Sequence, residues 1–276
     1  MQKIRYPLLV SDFDGTLLRS DETISEETIL AINEYKALGG HFALCTGRTI
    51  SSAMKVAKKL GLSGLLSSFQ GSIVADIESG EFLVDGCLPT DGAIEMCRFL
   101  EDLGVHIHVY DTYDYYSNMD DEWLAYYQRV SGVNGIVVKD MPLSKFLETN
   151  TLKVRKVLVL LAPEDKERIY NLLNARFGEE YYVTYSAACL VEVSNRSYSK
   201  ATALEKIAQY YGVSVEETIA AGDSLNDLPM IARAGLGVAV KNADEALKKE
   251  AKLVLEYSND ENAIGRIIKD YAIVEE

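Results

Sequence analysis

Two carboxylates one residue apart, Asp12 and Asp14, stand directly behind the apolar run Leu8-Leu9-Val10-Ser11 and directly before Gly15-Thr16. The run predicts a buried strand, and Gly15 lets the chain turn sharply away from its end. Ligands bind at the carboxyl ends of strands in a parallel sheet, so both acids belong at the mouth of a site. A second apolar stretch, Thr218-Ile219-Ala220-Ala221, stops in the same manner at Gly222-Asp223-Ser224-Leu225-Asn226-Asp227. A third, residues 41–45, ends in Thr46-Gly47-Arg48. Brought together, Asp12, Asp14, Asp223 and Asp227 would raise one another's pKa values unless a cation neutralised them. An all-oxygen set suits a hard divalent ion, Mg2+ before others. The Thr46 hydroxyl and the Gly47 amide, at a strand end feeding a helix, suit an anion. Lys200 adds a positive charge and Asn226 a donor amide. The combined chemistry is phosphoryl transfer. One aspartate can be a covalent nucleophile and the other, two residues on, can move the proton, while a metal and Lys200 would neutralise the phosphoryl oxygens. No glycine-rich Walker loop accompanies these residues, which argues against a P-loop nucleotide hydrolase.

The elements that must position these groups alternate. A strand over residues 6–11 precedes a helix opened by Ser25-Glu26-Glu27, a capping side chain with acids in the first turn. The strand over 41–45 precedes a helix starting near Thr49, with Ile50, Ala53, Met54, Ala57 and Leu60 on one face. Strand–helix alternation predicts an α/β fold, a doubly wound parallel sheet of Rossmann-like form. Residues 65–85 read as a small hairpin turning at Glu78-Ser79-Gly80-Glu81. A separate α+β unit follows Pro89. Within it residues 105–109 alternate like a half-buried strand, with His106 and His108 on one, solvated, face. The tyrosines of residues 110–127 read as packing within that unit. The first pattern returns after about Ala188: a strand over 190–193, a helix over 200–211 capped by Ser199, and strands over 218–221, 236–240 and 252–255. A helix from Glu261 closes the chain. The expected domains are therefore 1–87 and 188–276, two segments of one core, with 88–187 inserted between them.

Composition limits the partners. The 276 residues are 48% hydrophobic and 25% charged, ordinary for a globular chain. Net charge is -14, from 28 basic and 42 acidic residues, and no Lys/Arg cluster appears, so nucleic acid is not an expected partner. No apolar run nears the ~20 residues of a membrane span. Residues 1–7 lack the apolar core of a signal peptide, so the expected location is cytoplasmic. Cys45, Cys87, Cys97 and Cys189 form no Cys-x-x-Cys and read as reduced, mostly buried thiols. The expected partner is a small-molecule phosphate ester, and the expected state a monomer or weak homodimer.

Asp12-Phe13-Asp14-Gly15-Thr16-Leu17, Thr46-Gly47-Arg48, Lys200 and Gly222-Asp223-Ser224-Leu225-Asn226-Asp227 resemble, in order, the four motifs of the haloacid dehalogenase superfamily. The place of the insertion and the run Ser199-Lys200-Ala201-Thr202-Ala203-Leu204 resemble its Cof-type branch of sugar-phosphate phosphatases. The resemblance implies that Asp12 is the nucleophile and Asp14 the general acid and base. It implies Mg2+ held by the Asp12 carboxylate, the Asp14 main-chain carbonyl and Asp223, with Asp227 in support. Thr46, Gly47, Lys200 and Asn226 would bind the phosphoryl group, and the insert would be a cap that selects the substrate. Arg48, Asn195 and Arg196 are candidate substrate contacts. The implied activity is Mg2+-dependent hydrolysis of small phosphorylated metabolites, sugar phosphates above all, through an aspartyl phosphate. A phosphomutase on sugar phosphates and a non-catalytic metabolite-binding protein are the alternatives. The chain departs from the family pattern at Gln70-Gly71, Lys241-Asn242-Ala243 and Asn262-Ala263, none of which is a proposed nucleophile, acid or metal ligand.

Overall fold

A computed structural model describes residues 2–187 and 189–275. The chain forms two compact units, Met1–Asp85 with Tyr198–Glu276, and Gly86–Ser197.

In the first unit the described residues build an eight-stranded sheet. Its order is Leu253–Val254, Leu236–Ala239, Thr218–Gly222, Leu8–Ser11, His41–Cys45, Leu65–Ser68, Ile73–Asp76 and Phe82–Asp85. The first six run parallel, and the last two fold back as an antiparallel hairpin. The α/β alternation read from the sequence holds. Leu8, Leu9, Val10, Leu44 and Ile219 are wholly buried, as continuous apolar runs in a two-sided parallel sheet must be. Two helices start at side-chain caps: Ser25 accepts from Thr28 N at 3.1 Å ahead of Glu26–Ala37, and Thr49 from Ser52 N at 3.3 Å ahead of Ile50–Lys59. Ser199 and Thr202 cap each other's backbone at the start of the helix Lys200–Tyr211. That box fixes where Lys200 leaves the backbone.

The end of the chain differs from a single closing helix. The helix Ala263–Ile267, continued by a π-helical turn over Ile268–Ala272, gives way to the strand Ile273–Glu275, which pairs antiparallel with Gln2–Ile4. The β-branched pair Ile273-Val274 fits a strand better than a helix end.

In the second unit the described residues form a six-stranded, largely antiparallel sheet, in the order Tyr181–Ala187, Leu190–Asn195, Lys156–Leu160, His106–Tyr110, Tyr115–Ser117, Ile136–Val137. One face carries Ile107, Val109, Val157, Val159, Val191 and Val193 into a core shared with Cys97, Leu100, Leu147, Ile169 and Leu173. The strand Leu190–Asn195 thus belongs to this sheet, antiparallel to both its neighbours, and the first unit resumes only at Tyr198. A local Val-x-Val alternation is the same in either sheet; pairing with Lys156–Leu160 decides between them. Ala188, where the sequence placed the return, lies outside the described residues.

His106 and His108 correct a second expectation. They share a strand face as read, but both are buried rather than solvated. The rings of Tyr115 and Tyr127 stand 4.6 and 5.0 Å from that of His108. Asp121, which caps the helix Glu122–Ser131, places a carboxylate oxygen 2.9 Å from His106 Nδ1. The two Nε2 atoms are 2.8 Å apart. Burial lowers the pKa of both imidazoles, and that of His108 falls to about 2. The four cysteines are free, Cys45 and Cys97 buried and the other two half-buried. Among the described residues no helix is long and apolar enough to cross a membrane.

Candidate active site

Strand register sets the site. Ser11 stands beside Leu44 on one side and Ala221 on the other. Asp12, Thr46 and Asp223 therefore leave the sheet at one edge, where the strand order reverses direction. Asp12 N donates to Ala221 O at 2.8 Å, which ties the two acid-bearing strand ends together. Gly15 then turns with φ +74°, and a Cβ there would stand 2.6 Å from Asp223 Oδ2. Glycine is required twice over, for the dihedral and for the close approach.

Asp12, Asp223 and Asp227 each offer a carboxylate oxygen within 4.8 Å of the others. Lys200 Nζ lies 2.5 Å from Asp12 Oδ1 and 2.5 Å from Asp227 Oδ1. Asp227 is oriented further by its Oδ2, which accepts from the amides of Asp223 and Ser224, both at 3.0 Å. Asp223 Oδ1 accepts from Thr16 Oγ1 at 2.9 Å, and its carbonyl from Asp244 N at 2.7 Å. Every member of the cluster is thus held by at least one further group.

The charges do not balance. Burial, and then repulsion by Asp227, push Asp12 well above the usual carboxylate range, against the pull of Lys200. Burial and Asp227 likewise push Asp223 up to about 6. Burial alone would lower Lys200, but Asp12 and Asp227 more than offset it and raise the ammonium's pKa. Three carboxylates sharing one ammonium in a buried site leave surplus negative charge, which a divalent cation would neutralise. The donors are all oxygen, so the residues fit a hard ion.

Asp14 stands apart from this cluster. Its carboxylate is half exposed and pairs with Arg48 through Nε–Oδ2 at 2.8 Å and Nη2–Oδ1 at 2.6 Å. Thr46 is buried, and its Oγ1 accepts from Arg48 N at 3.1 Å. Asn226 Nδ2 donates to Gln70 Oε1 at 3.3 Å, and a Cβ on Gly47 would stand 2.5 Å from Gln70 Nε2. Gln70 therefore joins the Thr46-Gly47 turn to the Asn226 loop. It does so in a left-handed backbone, φ 58°, beside Phe69 at φ 48°. Such conformations are costly for side-chain-bearing residues and collect at functional sites. Gln70 was singled out in the sequence only as a departure from a pattern; nothing local marks it as a bridge. Asn242, another departure, donates to Gly15 O at 2.7 Å and braces the turn after Asp14.

Asn195 and Arg196 belong to the second unit. Asn195 Nδ2 donates to Cys87 O at 2.7 Å, and Arg196 donates to Gly178 O and Tyr181 O, all within the second unit.

The family model of haloacid dehalogenase-like hydrolases matches residues 9–268. The 5-amino-6-(5-phospho-D-ribitylamino)uracil phosphatase YitU of Bacillus subtilis is 31% identical, over 96% of this chain and 97% of its own. YcsE, a phosphatase of the same name from Bacillus subtilis, is 29% identical over 96% of each chain. The crystal structure of TM0651 from Thermotoga maritima superposes with a TM-score of 0.85 at 27% identity, covering 96% of this chain and 97% of that one.

The fold and the match over most of its length place this chain in the haloacid dehalogenase-like hydrolases. Within that superfamily it belongs to the Cof-type branch, and it is an enzyme of the phosphatase class.

Proposed function

We propose that the site hydrolyses small phosphorylated metabolites, sugar phosphates in particular, through a covalent phosphate on Asp12. One observation carries the proposal: the buried Asp12 carboxylate, at the end of its strand, lies 2.5 Å from Lys200 and is grouped with Asp223 and Asp227. Asp12 attacks phosphorus in line, and Lys200 shares the negative charge of the phosphoryl oxygens. Thr46, the Gly47 amide and Asn226 hold those oxygens in place. Asp14 gives a proton to the leaving oxygen, then takes one from the water that opens the aspartyl phosphate. Asp12, the Asp14 carbonyl and Asp223 are the groups that would hold Mg2+, with Asp227 in support. When bound, that ion supplies charge neutralisation to the carboxylates and the phosphoryl group.

The substrate class draws support from the relatives, two of which are named for a phosphate ester on a ribityl chain. Residues 86–197 form the inserted cap in this reading, and the enzyme acts in the cytoplasm on soluble esters. Its net charge of -14 supports a partner other than nucleic acid. The test is a phosphate-release screen over a panel of sugar phosphates with Mg2+, run on the wild type and on Asp12→Asn. Release by the wild type and none by the variant is the expected result. Release by a correctly folded Asp12→Asn sinks the covalent mechanism. An isomerised sugar phosphate in place of free phosphate shows a mutase.

A further inference from the structure

Asp14 depends on a single side chain. Both its oxygens are taken by the Arg48 guanidinium, and among the described residues no other side chain holds that carboxylate. Arg48 is itself fixed at three points. Its N donates to Thr46 Oγ1, its carbonyl accepts from Phe69 N at 3.1 Å, and its guanidinium lies over the Phe13 ring with 5.3 Å to the centroid. Phe13 is wholly buried and sits between Asp12 and Asp14 in the chain. The guanidinium plane is therefore referenced to the strand end that carries Asp12.

We propose that Arg48 is the positioning residue for proton transfer by Asp14, rather than a contact to the substrate. The assignment rests on the phosphatase reading of the site. A planar fork orients both forms of a carboxyl group. As a carboxylate, Asp14 accepts two parallel N–H bonds. As an acid, it keeps one oxygen on Arg48 and turns the O–H outward, toward the leaving oxygen. In the first half-reaction the Asp12 oxygen bonds to phosphorus while the ester P–O bond breaks. The Asp14 proton goes to the leaving oxygen, and its electron pair stays on Asp14. In the second half, water oxygen bonds to phosphorus, the Asp12–phosphorus bond breaks, and the water's proton goes to Asp14. Without Arg48 the half-exposed arm of Asp14 samples many orientations, and only the steps that need its proton slow down.

Leaving-group chemistry tests this. An alkyl phosphate expels a basic alkoxide and needs the proton. p-Nitrophenyl phosphate expels a stable phenolate and does not. For Arg48→Ala, kcat/KM, which reports the first half-reaction alone, should fall about 100-fold on an alkyl phosphate, within the range of general acid catalysis, and far less on p-nitrophenyl phosphate. The kcat, which includes the attack of water that Asp14 assists, should fall on both. Asp14→Asn should show the same selectivity, and the double variant should be no worse than Asp14→Asn alone. Arg48→Lys, which keeps the charge but not the fork, should repeat the pattern more weakly and covers the case of an alanine variant that fails to fold. Equal losses of kcat/KM on both esters would overturn the assignment. So would a fall in affinity for inorganic phosphate with kcat intact, which would make Arg48 a phosphate contact. Failure of the covalent reading shows separately, as phosphate release that survives Asp12→Asn.

Discussion

Lys200 Nζ and Asp227 Oδ1 lie 2.5 Å apart, and neither side chain is open to solvent. The same ammonium holds Asp12 at an equal distance, so one lysine restrains two of three clustered acids. Breaking a buried pair by removing one partner leaves a charge without compensation. Lys200→Ala should therefore cost about 3–5 kcal/mol of stability near neutral pH, besides stopping turnover. Urea denaturation checks it: a loss below about 1 kcal/mol, the worth of an exposed pair, would show that the cluster is solvated in solution.

A cation that relieves the carboxylate repulsion should stabilise the fold as well as support turnover. Chelator should stop phosphate release, and Mg2+ should restore it. At about 100 times its dissociation constant, Mg2+ should add about 2.7 kcal/mol of stability, seen as a rise in melting temperature. Asp223→Asn trades one carboxylate of the site for a neutral amide and should abolish most of that rise. An Mg2+ effect of equal size in the variant would place the ion elsewhere.

Gly15→Ala probes the turn between the acids. The left-handed backbone costs an alanine about 1–2 kcal/mol, and its Cβ would press on Asp223 Oδ2. The variant should melt lower and respond less to Mg2+. Loss of stability with an unchanged Mg2+ response would mean that Asp223 can shift without consequence.

His108 predicts an acid sensitivity seated in the second unit. Burial drops its pKa from 6.5 to about 2. Between those values the unfolded chain binds a proton that the folded chain refuses. Its contribution to stability is therefore full above 6.5 and is lost as pH falls, by up to about 1.4 kcal/mol per pH unit. His106 acts in the same direction. His108→Gln should flatten the decline between pH 7.5 and 5.5, measured by urea titration at each pH relative to the wild type. An unaltered slope would show that His108 titrates freely.

Much of the site was legible in the chain because its chemistry is local. Asp12 and Asp14 end one apolar run, Asp223 and Asp227 follow another, and Lys200 sits one residue behind its cap, so strand ends and caps placed them without any long-range knowledge. The alternation of strands and helices placed those ends at one edge of a parallel sheet, where the register of Ser11 against Leu44 and Ala221 puts them. What depended on partners distant in sequence was not legible. Gln70 bridges Asn226 across 156 positions, and Asn242 reaches Gly15 across 227. The strand Leu190–Asn195 was assigned to the wrong sheet because a period of two says which residues share a face, not which strand lies alongside.

By itself, then, the sequence determined the parallel α/β core, its reactive residue types and their order, since backbone preferences and apolar periodicity act over a few residues. Only the tertiary structure decided how the acids divide. Asp12, Asp223 and Asp227 are drawn into one buried group around Lys200, while Asp14, two residues from Asp12, turns out to Arg48. That division follows from burial. Three carboxylates gathered away from water share Lys200 and leave surplus charge that a cation would neutralise, whereas Asp14 keeps its contact with solvent and has a guanidinium of its own.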